Sequence, residues 1–149
     1  MVEFFNTENN LTVEQIRLIA SKYQLVFPDE YVDHLLINNG GQCHPNVFEF
    51  IENGQLTESN VDWFLAIYDG RYDSLEQYIK VFKKDQARIP DSFIPIAHDP
   101  GGNLICISCV DKKIYYWDHE KEMINADHNG AGNIHFIARN LETFLNSLR

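Results

Sequence analysis

A β-hairpin signal in the last third of the chain limits the possible folds more than any other segment does. Two runs rich in branched and aromatic residues, LICIS at 104–108 and IYYW at 114–117, flank a short polar segment around DKK at 111–113. Two such runs on either side of a short loop are typical of neighbouring antiparallel strands. The later run IHFIA, at 134–138, predicts one more short strand.

Helices are predicted on both sides of this hairpin, because apolar residues recur there at helical spacing. The first follows Thr12, which has the spacing of a capping box with Gln15. The second follows Pro28 and ends at the turn Asn39–Gly41, where glycine accommodates a left-handed C-cap. The third begins at Ser74 and the last after Asn140.

The remaining segments read mainly as strands and loops. NVFEFIE at 46–52 and VDWFLAIYDG at 61–70 are predicted strands, GQLTES at 54–59 the loop between them, and IPDSFIPIAHD at 89–99 an extended segment. The strands cluster in hairpins and do not alternate with helices. This order predicts an α+β fold with a mainly antiparallel sheet, flanked by helices at the N-terminus, middle and C-terminus. The 149 residues fit one domain, 1–149, with a core over about residues 11–148.

Charge limits the classes of partner. The chain has 12 basic and 22 acidic residues, a formal net charge of −10, and no basic run. A nucleic-acid binder needs Lys and Arg to displace counterions, so direct nucleic-acid binding is not expected. The acidic balance favours a basic partner or serves solubility alone. The chain shows no apolar stretch long enough for a membrane span and no secretory signal, and its three cysteines make no disulfide framework, so we expect it in the cytoplasm.

The segment AHDPGGNLICISC, at 97–109, contains two motifs that suggest chemistry. A phosphate loop needs a lysine and a following helix, whereas here a strand follows and Asp99 repels phosphate, so the glycines are expected to form a turn. In a strand, Cys106 and Cys109 point to opposite faces. We therefore interpret them as small core residues and not as a redox or zinc pair.

A cluster of ionisable residues follows the hairpin, in WDHEKEMINADH at 117–128. A metal site or an acid–base pair is one reading of Asp118, His119, Glu120, Asp127 and His128. The segment lacks H-E-x-x-H or a comparable ligand spacing, and polar residues at a strand end explain it more simply. The chain also lacks G-x-S-x-G, and Ser108 has no evident base. We expect no catalytic residues, no metal and no cofactor.

Four motifs in order carry a family resemblance: FPDEYVDHLLINNGG, FIPIAHDPGGNLICI, IYYWDHE and IARNLETFLNSL. Together they resemble the SUKH superfamily, which includes a fungal regulator of cell-wall synthesis and many bacterial immunity proteins. The resemblance assigns structural roles to these motif residues: Pro28, Tyr31, Gly40, Gly41, Pro95, Asp99, Gly101, Gly102, Asn103, Trp117, Asp118, His119 and Glu120. Many members carry Asp where this chain has Ser108, so a role tied to that aspartate is not expected here.

The resemblance implies a binding protein and not an enzyme. Bacterial members mostly neutralise polymorphic or contact-dependent toxins, many of them nucleases, so the expected partner is a basic cognate toxin. Candidate contacts are seven acidic residues from the first two-thirds of the chain and two aromatic anchors: Asp29, Glu30, Asp33, Glu58, Asp62, Asp69, Asp73, Trp63 and Tyr72. For each of them, a solvated charge or a core aromatic is the simpler reading.

Two alternative functions remain open from the sequence. One is a regulatory scaffold in cell-wall or stress signalling. The other is an enzyme or small-ligand binder that uses the segment Trp117–Glu120.

Overall fold

The computed structural model describes residues 2–121 and 132–149. The helices are α1 (Val13–Lys22), α2 (Asp29–Ile37), α3 (Leu75–Ile79), which continues as a π-helical segment (Lys80–Asp85), and α4 (Leu141–Ser147). The strands are β1 (Glu3–Phe5), β2 (Gln42–His44), β3 (Val47–Glu52), β4 (Gln55–Asn60), β5 (Trp63–Phe64), β6 (Phe93–His98), β7 (Leu104–Ser108), β8 (Ile114–Trp117) and β9 (Ile134–Ala138). A short 3-10 turn spans His119–Lys121.

The centre of the fold is a sheet with the strand order β5-β6-β7-β8-β9. Every neighbouring pair in this sheet is antiparallel. The predicted hairpin is confirmed as β7 and β8, with Leu104 opposite Trp117 and Ile107 opposite Ile114. The α+β prediction with a mainly antiparallel sheet is confirmed as well.

Both faces of this sheet are covered, which explains why β7 is buried along its whole length. Ile105 and Ile107 belong to the main core, together with residues of α1, α2 and α4. Leu104 and Cys106 belong to a smaller core with Trp117, against which Phe82 of the π-helical segment packs. The alternation of side chains along a strand separates these two cores.

The helix starts agree with their predicted caps. Thr12 and Gln15 form the capping box: the Gln15 N–H donates to Thr12 Oγ1 over 3.2 Å, and the Thr12 N–H donates to Gln15 Oε1 over 2.8 Å. Ser74 caps α3 by accepting from the Gln77 N–H at 3.3 Å. Asn140 caps α4 with an oxygen 2.8 Å from the Thr143 nitrogen. Short-range hydrogen bonds therefore determine where these helices begin.

The predicted loop at 54–59 is wrong, because Gln55–Asn60 forms strand β4, which pairs with β3. The turn lies earlier, at Asn53 and Gly54, which both have positive φ (53° and 76°). Asn-Gly favours this kind of two-residue hairpin turn. The polar composition of β4 masked its strand character, since its side chains lie mostly in or near solvent.

The strand predicted at 61–70 is much shorter than expected, and one small sheet was not predicted at all. Only Trp63–Phe64 forms strand β5. The chain then turns, and its next bridge, from Ala66 to Ser74, is parallel and isolated. In the small sheet, β1 pairs with β2 across about forty residues of sequence, with Phe4 opposite Cys43.

Candidate functional site

Three segments that are distant in sequence meet at a surface groove. They are the arm between β1 and α1 (residues 6–12), the turn of Gly40 and Gly41 after α2, and the chain from β5 to α3. The groove has a volume of about 230 Å³ and is lined by Asn6, Glu8, Gly41, Trp63, Phe64, Ala66, Tyr68, Tyr72 and Asp73. Three of the predicted partner-binding residues, Trp63, Tyr72 and Asp73, are brought together here.

The floor of the groove depends on the two glycines of the turn. Gly41 has φ +92°, and a Cβ placed there would lie 2.6 Å from the carbonyl oxygen of Phe5. A Cβ at Gly40, with φ +72°, would lie 2.5 Å from the Cβ of Ala66. No side chain fits at either position, and L-residues avoid this backbone conformation. The family motif therefore allows the arm and the β5 segment to approach each other closely.

Asn39 ties these segments together from within. Its side chain is buried, and its Nδ2 donates to the carbonyl oxygens of Asn9 (2.8 Å) and Ile67 (2.9 Å). Its Oδ1 accepts from the Ile67 N–H at 2.8 Å, while its own carbonyl accepts from the Glu8 N–H at 2.9 Å. The sequence predicts only a helix end at Asn39. A polar residue directly before two glycines indicates a special turn, but it does not indicate that Asn9 and Ile67 are the hydrogen-bond partners.

The walls of the groove are aromatic. Tyr72 is 72% exposed, whereas Trp63 and Tyr68 are half-buried. The Tyr68 hydroxyl donates to the carbonyl oxygen of Tyr72 and so holds the loop closed. Exposed rings on a fixed loop offer flat faces for stacking and for cation–π contacts.

His98 anchors the carboxylates beside the groove. Its Nε2 lies 2.5 Å from Asp73 Oδ1, and its Nδ1 lies 3.0 Å from the Asp99 carbonyl oxygen. Asp62 Oδ2 also lies 3.9 Å from Nδ1. The ring of Tyr78 stacks on the imidazole, with 5.9 Å between the ring centroids. Both ring nitrogens of His98 therefore face oxygen atoms.

Beneath this cluster, the buried carboxylate of Asp99 organises a second glycine turn, the one that contains Gly101 and Gly102. It accepts from the Tyr116 hydroxyl (2.5 Å), the Ser59 hydroxyl (2.9 Å) and the Asn103 N–H (2.8 Å). Burial acts to raise the pKa of this carboxyl, but the hydrogen bonds, led by that of Tyr116, outweigh it and hold the pKa below its usual value. Gly102 has φ +88° in this turn, as the turn interpretation requires.

The YYWDHE motif closes the same network from the other side. Asn103 Oδ1 accepts from the backbone N–H of His119 (2.9 Å) and lies 2.7 Å from its Nδ1. Asp118 Oδ1 accepts from the Glu120 N–H at 3.0 Å, and Trp117 is buried in the smaller core. These hydrogen bonds stabilise the turn that follows β8. Asp127 and His128 lie outside the described residues.

The two cysteines of C-x-x-C lie on opposite sides of the sheet, as the strand spacing predicts. Cys106 is in the smaller core, while Cys109 packs against the main one. Burial raises the pKa of the Cys106 thiol, which keeps it protonated and unreactive. Within residues 2–121 and 132–149, no group of three or more His, Cys, Asp or Glu side chains is arranged to hold a metal ion.

Several predicted contact residues lie elsewhere and already have partners. Glu30 accepts the N–H groups of Leu141 (2.7 Å) and Glu142 (3.2 Å), so it caps α4. Asp33 and Glu30 line a second, more open groove of about 350 Å³ between α2 and α4. Glu58 forms an ion pair with Arg149.

The two other acidic candidates remain in solvent and line neither groove. Asp29 is exposed in the first turn of α2. Asp69 is exposed in the loop between Tyr68 and Tyr72.

Among the helices of residues 2–121 and 132–149, none has the length and apolar character of a membrane-spanning segment.

Comparison with known proteins agrees with these motifs. The model of the SMI1 / KNR4 family (SUKH-1) matches residues 10–147. The "SPbeta prophage-derived uncharacterized protein YokK" of Bacillus subtilis (strain 168) is 35% identical over 163 aligned positions, which cover 91% of this chain and 82% of that protein. Both the glycine turn under the groove and the Asp99 network lie inside the matched range, and the chain belongs to the SMI1/KNR4 (SUKH-1) family.

Proposed function

We propose that this chain is an immunity protein that binds a cognate polymorphic or contact-dependent toxin in the cytoplasm and inhibits it without catalysis. Family membership supports a role in protein–protein interaction. The similarity to a prophage-derived protein fits a gene that serves competition between bacteria.

The groove carries this proposal. It combines an exposed Tyr72, a half-buried Trp63 and the carboxylates of Glu8 and Asp73 at one place on the surface. Aromatic anchors in a preformed pocket are the usual centres of binding energy in protein interfaces. The hydrogen bonds of Asn39 and His98 hold the walls in position before a partner arrives, so little ordering entropy is lost on binding.

The charge of the chain indicates what kind of toxin it would meet. A nuclease needs a basic cleft to hold phosphates, and a protein of net charge −10 is attracted to such a cleft. The carboxylates at the groove would occupy the cleft and exclude the nucleic acid. Inhibition of this kind needs no reactive group on the immunity protein. Asp62, Asp69 and Asp73 are the acidic candidates on the segment that supplies the aromatic residues.

Co-expression with the neighbouring reading frame tests this function. The neighbour alone should kill the host, this chain should restore viable counts, and the two proteins should co-purify as a complex. The double variant Trp63→Ala/Tyr72→Ala should lose the rescue, whereas Glu14→Ala, exposed on α1 away from the groove, should keep it. A toxic neighbour that the wild-type chain neither rescues nor binds would contradict the proposal.

A regulatory scaffold is the second candidate, and the groove between α2 and α4 favours it. Ile37 is 75% exposed there and is rimmed by Glu30 and Asp33. A scaffold needs two separate contact surfaces, and this groove is distinct from the one over Gly41. Pull-down from the native host would then recover two partners, one sensitive to Tyr72→Ala and the other to Ile37→Asp.

A further inference from the structure

The groove over Gly41 has walls of two chemical kinds. Trp63, Tyr68 and Tyr72 supply aromatic faces, while Glu8 and Asp73 supply carboxylates. None of its lining residues carries a positive charge. Aromatic faces together with carboxylates form the environment that organic cations prefer, since the ring faces and the carboxylates both present negative potential.

We propose that this groove binds one arginine side chain of the partner, an inference that deepens the proposed function and rests on it. A guanidinium is planar, so it stacks on a ring face while its N–H groups donate to carboxylates. The volume of about 230 Å³ admits a single long side chain and is too small for a helix or a folded element.

Other ligand classes fit the groove less well. The carboxylates of Glu8 and Asp73 repel phosphate and other anions. A neutral aromatic ligand would desolvate the same carboxylates without pairing them, which costs free energy. A lysine ammonium is compact and strongly hydrated, so it gains less from the three rings than a guanidinium does.

The two acidic residues are held at the groove from opposite sides, Glu8 by its backbone and Asp73 by its carboxylate. Glu8 is held on the arm by the bond from its backbone N–H to the Asn39 carbonyl oxygen, at 2.9 Å. Asp73 is held through one oxygen by His98, at 2.5 Å. The Glu8 carboxylate is exposed to solvent, which leaves it available to an incoming donor. An arginine head group between the arm and the loop would meet both charges and the ring of Tyr72.

The two tryptophans of the chain make a direct test possible. Trp63 lies in the groove, whereas Trp117 is 1% exposed and serves as an internal reference. Their indole N–H signals can be followed by NMR during titration with a short glycine–serine peptide carrying one arginine. The same peptide with citrulline, or with lysine, serves as the ligand control. We expect the Trp63 signal to move with arginine, to move less with lysine and to stay with citrulline.

Matched variants locate the site. Tyr72→Leu and Glu8→Gln should weaken arginine-peptide binding about fivefold or more, as the loss of a cation–π contact or of a carboxylate implies. Tyr72→Phe should bind like the wild type. Glu14→Gln removes the same charge from an exposed position on α1 and should leave binding unchanged.

Four results would overturn the assignment: no response of the Trp63 signal to the arginine peptide, an equal response to citrulline, an equal response to lysine, or equal weakening by Glu14→Gln. The rescue assay separates this outcome from failure of the proposed function. If Tyr72→Leu and Glu8→Gln lose the peptide response but still neutralise the toxin with undiminished affinity, the immunity function stands and the arginine assignment is wrong.

Discussion

Asp99 is a motif residue whose buried hydrogen bonds contribute to the stability of the fold. Its carboxylate accepts hydrogen bonds from Tyr116, Ser59 and Asn103 in the interior. Asp99→Asn replaces one of the two acceptor oxygens by an NH2 donor and leaves buried donors unpaired, so we expect the free energy of unfolding to fall by about 3 kcal/mol. Urea unfolding measures this loss. The exposed carboxylate of Asp85 provides the control, and Asp85→Asn should change stability by less than about 0.5 kcal/mol.

His34 predicts a pH dependence of stability. Burial among Phe4, Tyr31 and Phe64 lowers its pKa to about 4. In the unfolded chain the imidazole takes up a proton near pH 6.5, so the unfolded state binds more protons than the folded state between these values. Stability is complete above pH 6.5 and declines as the pH falls towards 4.

Unfolding curves at several pH values check this sign and size. From pH 7 to pH 5 the His34 contribution to the free energy of unfolding should decrease by about 2 kcal/mol. His34→Phe should remove that part of the slope, because phenylalanine has no proton to take up. An equally steep slope in the variant would assign the acid sensitivity to other groups.

At the scale of elements, the glycine turn gives a paired prediction. Gly41 and Gly54 both have positive φ, +92° and +76°, so alanine is strained at both. At Gly54 nothing lies within 4 Å of a new Cβ, whereas at Gly41 the Phe5 carbonyl would be 2.6 Å away. Gly54→Ala should cost about 1 kcal/mol of stability, and Gly41→Ala clearly more, with loss of partner binding. Equal costs would show that the contact at Gly41 relaxes easily.

Helix α4 depends on a carboxylate from another element. Glu30 accepts the N–H groups of Leu141 and Glu142, over a separation of more than a hundred residues. Glu30→Ala should lower the thermal midpoint, with a cost of about 1–2 kcal/mol, as loss of a helix cap does. Asp33→Ala, exposed on the same helix, should be nearly neutral. If Glu30→Ala left stability unchanged and abolished partner binding, its role would be in recognition.

At the scale of the whole molecule, the charge of −10 predicts the kinetics of complex formation. Long-range attraction speeds encounter and is screened by salt. The association rate constant with a basic toxin should fall at least about tenfold between low and high salt, while the dissociation rate constant changes little. Surface plasmon resonance at several salt concentrations measures both. Substitutions of Trp63 and Tyr72 should show the converse pattern, raising mainly the dissociation rate constant.

Much of the architecture follows from interactions within a few residues. The capping of α1 by Thr12 and the hairpin of β7 and β8 involve only near neighbours, so the local sequence determines them. Strand β4 was missed because its exposed polar side chains resemble those of a loop, although the Asn53–Gly54 turn was readable.

The acidic balance, the motifs of the family, most helix starts and the central hairpin are all readable from the amino-acid sequence. Which residues form the groove depends on tertiary packing, because Glu8, Gly41 and Tyr72 are far apart in the chain and meet only when the elements dock. Tertiary packing also decides that Glu30 caps a helix and that His98 holds Asp73. Contacts of this kind depend on how whole elements dock, and no local pattern of residues records that docking.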